Sequence, residues 1–106
     1  MLITLPNDTL LTLAIPANLE EDVLDFLLLH PHWASGFSVL AAQGMGQGAR
    51  LQSTMEMVQG RSARKLVLVA GVAAQLQLLL EALAQELPSP EVAYWMTPLL
   101  ACGRLA

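Results

Sequence analysis

The period of the apolar residues switches repeatedly along this chain, and the order of the switches limits the folds open to it. From Thr9 to Ile15, Leu11, Leu13 and Ile15 alternate with Thr12 and Ala14, the period-two pattern of a half-buried strand that Pro16 ends. The period then lengthens: Leu19, Val23, Phe26 and Leu27 form one stripe of a helix over residues 19–29. Asn18 followed by Glu21 predicts a capping box, with Glu20, Glu21 and Asp22 where a helix start favours negative charge. His30-Pro31-His32 stops the helix, because proline disfavours helix in the residue before it. Gly36 opens a second strand, with Phe37, Val39 and Ala41 on one face and Ser38, Leu40 and Ala42 on the other, and Gly44 closes it. The run Leu66-Val67-Leu68-Val69 within residues 65–70 suits a central strand. Leu76, Leu79, Leu80, Leu83 and Leu87 then mark a second helix, which Pro88-Ser89-Pro90 ends. Residues 91–97 alternate Val92, Tyr94 and Met96 against Ala93 and Trp95, a fourth strand.

Strand, helix, strand, strand, helix, strand is the order of the ferredoxin-like βαββαβ motif, an α+β fold with two helices on one face of a four-stranded antiparallel sheet. The 106 residues suit one domain, with an N-terminal extension over residues 1–8, a glycine-rich loop over 44–53 and a C-terminal tail over 98–106. Such a fold leaves one sheet face bare. Composition bears on what covers it: 55% of the residues are hydrophobic and 13% charged, where soluble domains average about 25% charged. The later strands carry apolar residues on both faces, so Leu40, Val67, Val69 and Trp95 are expected at an interface between copies of the chain.

Other classes are excluded by simpler counts. The longest strictly apolar stretch, Leu66 to Ala74, has nine residues, short of the roughly 20 that a spanning helix needs, so no membrane insertion is expected. The first fifteen residues hold no Lys or Arg and Asp8 interrupts them, which predicts neither a secretory leader nor a transit peptide and points to the cytoplasm. Cys102 stands alone, so there is no internal disulfide. A net charge of −4 argues against a nucleic-acid partner.

Gly36-Phe37-Ser38-Val39, then Gly44-x-Gly46 and a loop, then Lys65-Leu66-Val67-Leu68-Val69 resembles the nitrogen-regulatory PII proteins. Glu56-x-Val58-x-Gly60-Arg61 and the ending Tyr94-Trp95-x-x-Pro98-Leu99-x-x-x-Gly103-Arg104 resemble a small PII-like branch, domain of unknown function 3240, often encoded beside heavy-metal efflux pumps. The resemblance covers residues 9–105. It implies a homotrimer whose sheets face inward and whose loop between strands two and three touches a target, such as a transport or metal-efflux component. It does not carry nucleotide binding across. PII proteins hold ATP or ADP partly with a Thr-Gly-x-x-Gly-Asp-Gly turn, and here that place holds Leu87-Pro88-Ser89-Pro90-Glu91, without the glycines that let backbone approach phosphate. The modified loop tyrosine of some PII proteins is also missing, since Tyr94 is the one tyrosine.

Five groups of residues are candidates for chemistry. Gly44, Met45, Gly46, Gln47, Gly48 and Arg50 form the candidate partner loop; as a nucleotide motif they lack the spacing and lysine of a phosphate loop. Arg61, Arg64 and Lys65 are a candidate anion-binding patch, against the plainer reading of a solvated strand edge with ion pairs. His30 and His32, with the thioethers of Met55 and Met57, are candidate ligands for a transition-metal ion, against a polar helix-ending turn and sheet packing. The carboxylates Glu20, Glu21, Asp22 and Asp25 read as helix-start charge compensation. Cys102 with a histidine has no orienting signature, so a catalytic role is not expected. The expected function is a non-catalytic regulatory or sensing trimer. A metal-binding protein of the divalent-ion tolerance type is the second reading, and a small enzyme on the same fold the third.

Overall fold

The computed structural model describes residues 1–44 and 62–106. The short strand β1 (Ile3–Thr4) precedes β2 (Thr9–Pro16), a single 3-10 turn (Ala17–Leu19) and helix α1 (Glu20–Leu28). Then follow β3 (Phe37–Gly44), β4 (Ser62–Gly71), α2 (Ala73–Glu86), β5 (Ala93–Pro98) and β6 (Gly103–Arg104). β2, β3, β4 and β5 form one antiparallel sheet in the order β3-β4-β2-β5, while β1 and β6 form a separate two-stranded ribbon. This is the α+β, ferredoxin-like arrangement read from the sequence, with the ribbon added.

Register decides which residues meet the helices, because residues directly opposite in an antiparallel ladder share a face. Leu11 pairs with Val69 and Met96, and Leu13 with Val67 and Tyr94. Phe37 and Val39 extend the same row on β3. Leu11, Leu13, Ile15, Val67 and Val69 are fully buried in one cluster with Val23, Phe26 and Leu27 of α1 and Leu76, Leu79, Leu80 and Leu83 of α2. Val67 and Val69 are therefore core residues, not the interface residues expected from sequence. A strand that is apolar on both faces does not reveal which face the helices cover; its pairing with the alternating strand β2 does. The outward residues of β4 are Leu66, Leu68 and Ala70.

The start of α1 departs from the sequence reading. Asn18 lies inside the 3-10 turn and makes no cap; Leu19 is the N-cap of α1, without a side-chain hydrogen bond. Pro16, at φ −62 and ψ 146, feeds straight into that turn, so Asn18 is already wound when a cap would need it extended. α2 is served from a distance. Asp8 Oδ1 accepts hydrogen bonds from the Ala73 backbone N–H at 3.1 Å and from Thr9 Oγ1 at 2.9 Å. The Asp8 N–H donates to the Gly71 carbonyl and its own carbonyl accepts from Leu99 N–H, so this one residue ties the ends of β4 and β5 to the start of α2.

Candidate functional site

The face of the sheet away from the helices carries Leu10, Thr12 and Ala14 of β2, Leu66, Leu68 and Ala70 of β4, Ser38, Leu40 and Ala42 of β3, and Trp95 of β5. The core residues of α1 and α2 cluster with Leu11, Leu13, Ile15, Val67 and Val69, which lie on the opposite face. Leu40 is 50% exposed and Trp95 46%. Thr12, between Leu68 and Trp95 in the register, is buried. The side chains of this patch are mostly aliphatic, and the charged one, Arg64, sits at its end opposite Pro16. Chemically the surface can do one thing well, which is to shed water against another apolar surface.

The structure separates the basic residues that the sequence placed together. Arg64 lies on the open face and its Nη1 donates to the Glu91 carbonyl at 2.6 Å, bracing the connection between α2 and β5. Lys65, one residue on, points to the helix side, where its Nζ lies 3.5 Å from Glu20 Oε1. Successive strand residues face opposite ways, so these two cannot share a patch. Arg61 lies outside the described residues, as do Met45, Gly46, Gln47, Gly48 and Arg50 of the candidate loop and Met55 and Met57 of the candidate metal set. Gly44 is the last residue of β3.

His30 and His32 do come together. Their ring centroids are 5.7 Å apart in the turn after α1, where His30 stacks on Trp33 at 5.0 Å with an interplanar angle of 19° and also meets Phe26 at 4.6 Å. His32 contacts Trp33 at 4.5 Å. His30 also lines a shallow cavity of about 230 Å³ with Asp22, Asp25 and Glu86. Among the described residues, no group of three or more His, Cys, Asp or Glu side chains is placed to hold a metal ion.

The connection where PII proteins keep their glycine-rich turn is closed by its own bonds. Glu91 N–H donates to Ser89 Oγ and Val92 N–H to the Ser89 carbonyl. Beneath it lies a cavity of about 330 Å³ whose lining includes Leu13, Leu80, Leu83, Leu87, Val92 and Tyr94. Sequence reasoning missed this hollow and the ribbon. The ribbon's signal is two residues long on each side, below what periodicity can register. No helix among the described residues is long and apolar enough to cross a membrane.

Comparison with solved structures fits this architecture. A DUF3240 family protein from Shewanella baltica OS155 superposes with a TM-score of 0.72 at 24% identity, covering 96% of this chain and 100% of that one. CPII, a nitrogen regulatory PII-like protein from Thiomonas intermedia K12 bound to ADP, AMP and bicarbonate, gives 0.68 at 15% identity, covering 93% and 96%. CutA from Synechococcus elongatus PCC7942 gives 0.67 at 17% identity, covering 96% and 85%. At these identities the likeness is one of fold, and the fold is the ferredoxin-like one shared by PII-like and CutA proteins. A search of the curated proteins finds no match. The family model described as "Protein of unknown function (DUF3240)" matches residues 5–106, nearly the whole chain, and the protein therefore belongs to the DUF3240 family.

Proposed function

We propose that this protein is a non-catalytic regulatory module that works as a homotrimer, with the bare sheet faces of three copies turned inward. The observation that carries the reading is the open face itself: Leu40 and Trp95 half exposed beside Leu66 and Leu68, on a chain poor in charge. The PII-like fold supports a sensing role, in which a small ligand held between subunits changes how the segment over residues 44–53 meets a partner protein. The partner class we propose is a transport or metal-efflux component. Light scattering tests the assembly: three times 11.4 kDa is expected, and a mass of 11.4 kDa at micromolar concentration would overturn it. Deleting residues 44–53 is expected to abolish retention of the transport partner while the assembly mass is kept.

A second reading, transition-metal binding, is favoured by the 5.7 Å approach of His30 and His32. Isothermal titration with Cu(I), Zn(II) and Ni(II) decides it. Micromolar binding that disappears in the double variant His30→Ala, His32→Ala supports a metal role; binding unchanged by that variant sinks it.

A further inference from the structure

The turn after α1 gathers three rings that the regulatory reading does not use. The centroids of His30, His32 and Trp33 form a triangle, with 5.7 Å between the imidazoles and 5.0 and 4.5 Å from His30 and His32 to the indole. The turn is closed by its own backbone: the His30 carbonyl accepts from Trp33 N–H and Ala34 N–H, and His30 N–H donates to the Leu27 carbonyl. Pro31 stiffens the backbone between the two histidines. Leu27 and Ala34 are buried in the core and Trp33 packs against it, which anchors the turn at both ends.

The number of donors narrows the choice of ion. Among the described residues no group of three or more His, Cys, Asp or Glu side chains is placed to share one, so Asp22, Asp25 and Glu86, which line a shallow cavity with His30, complete no ligand set. Zn(II) takes four ligands, and two imidazoles leave half of its shell to water. Cu(I), monovalent and with a filled d shell, is satisfied by two nitrogens in line. With each nitrogen about 2 Å from the metal, the two ring centroids stand roughly 6 Å apart, close to the 5.7 Å between His30 and His32. These rings meet edge to face at 64°, and in-line approach needs only that the exposed His32 turn about its side-chain bonds. The midpoint between the imidazoles lies about 4 Å from the Trp33 centroid, inside the roughly 6 Å over which an aromatic face attracts a cation. The three carboxylates give the surroundings the sign that a cation prefers.

We propose that His30 and His32 bind one Cu(I) ion in two-coordinate geometry beside the indole of Trp33. The inference rests on the transition-metal reading and adds to it the ion, its coordination number and a third residue that meets it.

The test titrates the full chain with Cu(I), supplied in acetonitrile under anaerobic conditions, and follows tryptophan emission. One ion per chain is expected, with quenching that saturates at that ratio and a copper K-edge spectrum of two nitrogen neighbours and no sulfur. His32→Ala removes an exposed side chain, so the circular dichroism spectrum should persist while Cu(I) affinity falls at least about tenfold. Trp33→Phe should still bind Cu(I) but lose the quenching, since the emission left is that of Trp95. Zn(II) or Ni(II) held as tightly as Cu(I) by the same two histidines overturns the two-coordinate assignment and leaves the transition-metal reading standing. Sulfur neighbours in the spectrum move the ion to methionine or cysteine and overturn this site. Metal binding that is absent, or unchanged in the double variant His30→Ala, His32→Ala, overturns both.

Discussion

Asp8 shows how a single side chain can matter without leaving a mark in the sequence. It accepts from the first turn of α2 across 65 residues of sequence separation, and no spacing rule searches that far. Asn18 shows the reverse, a local capping pattern cancelled because Pro16 winds the chain one turn early. Asp8→Ala removes the acceptor for Ala73 N–H and for Thr9 Oγ1. The expected cost is about 1 kcal/mol, as for other helix caps, or a fall of roughly 4–8 °C in the thermal midpoint at fixed chain concentration. An unchanged midpoint would mean that water serves the helix start equally well. Gly103→Ala acts more narrowly. Its methyl group would displace the Ile3 carbonyl, so amide exchange at Leu5 should accelerate while exchange in β2 and β4 stays slow. Equal protection of Leu5 in the variant would refute the close approach.

At the scale of elements, the sequence was legible wherever one face of a strand or helix is clearly less apolar than the other. β2, α1 and α2 carry that contrast, and their positions agree with the periodicity to within a residue or two. β4 does not carry it. Its run of Leu66, Val67, Leu68 and Val69 reads identically from both sides, so the choice of buried face waits on the register with Leu11 and Leu13. The consequence is an asymmetry between neighbours. Val67→Asp places a carboxylate in the core with no partner and is expected to abolish the cooperative unfolding transition. Leu68→Asp, one residue away on the other face, should keep the native circular dichroism spectrum. If both variants unfold, β4 is covered on both sides within one chain. Leu79→Ala, fully buried between α2 and the sheet, should cost about 2–5 kcal/mol in denaturant titration.

For the whole molecule, the candidate site was only half readable, because residues adjacent in sequence were sorted to opposite sides of the sheet. Arg64 and Lys65 looked like one cationic patch and are separated by the pleat, while Leu40 and Trp95, far apart in the chain, share the open face. That face is where molecular behaviour should be decided. Contact through aliphatic and indole surface is weakly screened by salt, unlike contact through exposed ion pairs. The assembly mass should therefore hold between low and high sodium chloride, and the thermal midpoint should rise with chain concentration because folding and association are linked. In the proposed trimer, Leu40→Asp combined with Trp95→Asp puts three pairs of carboxylates at the centre. Neither residue belongs to the core cluster, so the helices and sheet should survive by circular dichroism. The mass should fall to one chain and the midpoint should become independent of concentration. A double variant that still scatters at three chain masses would show that the copies meet elsewhere, and would leave the bare face of the sheet to a different partner.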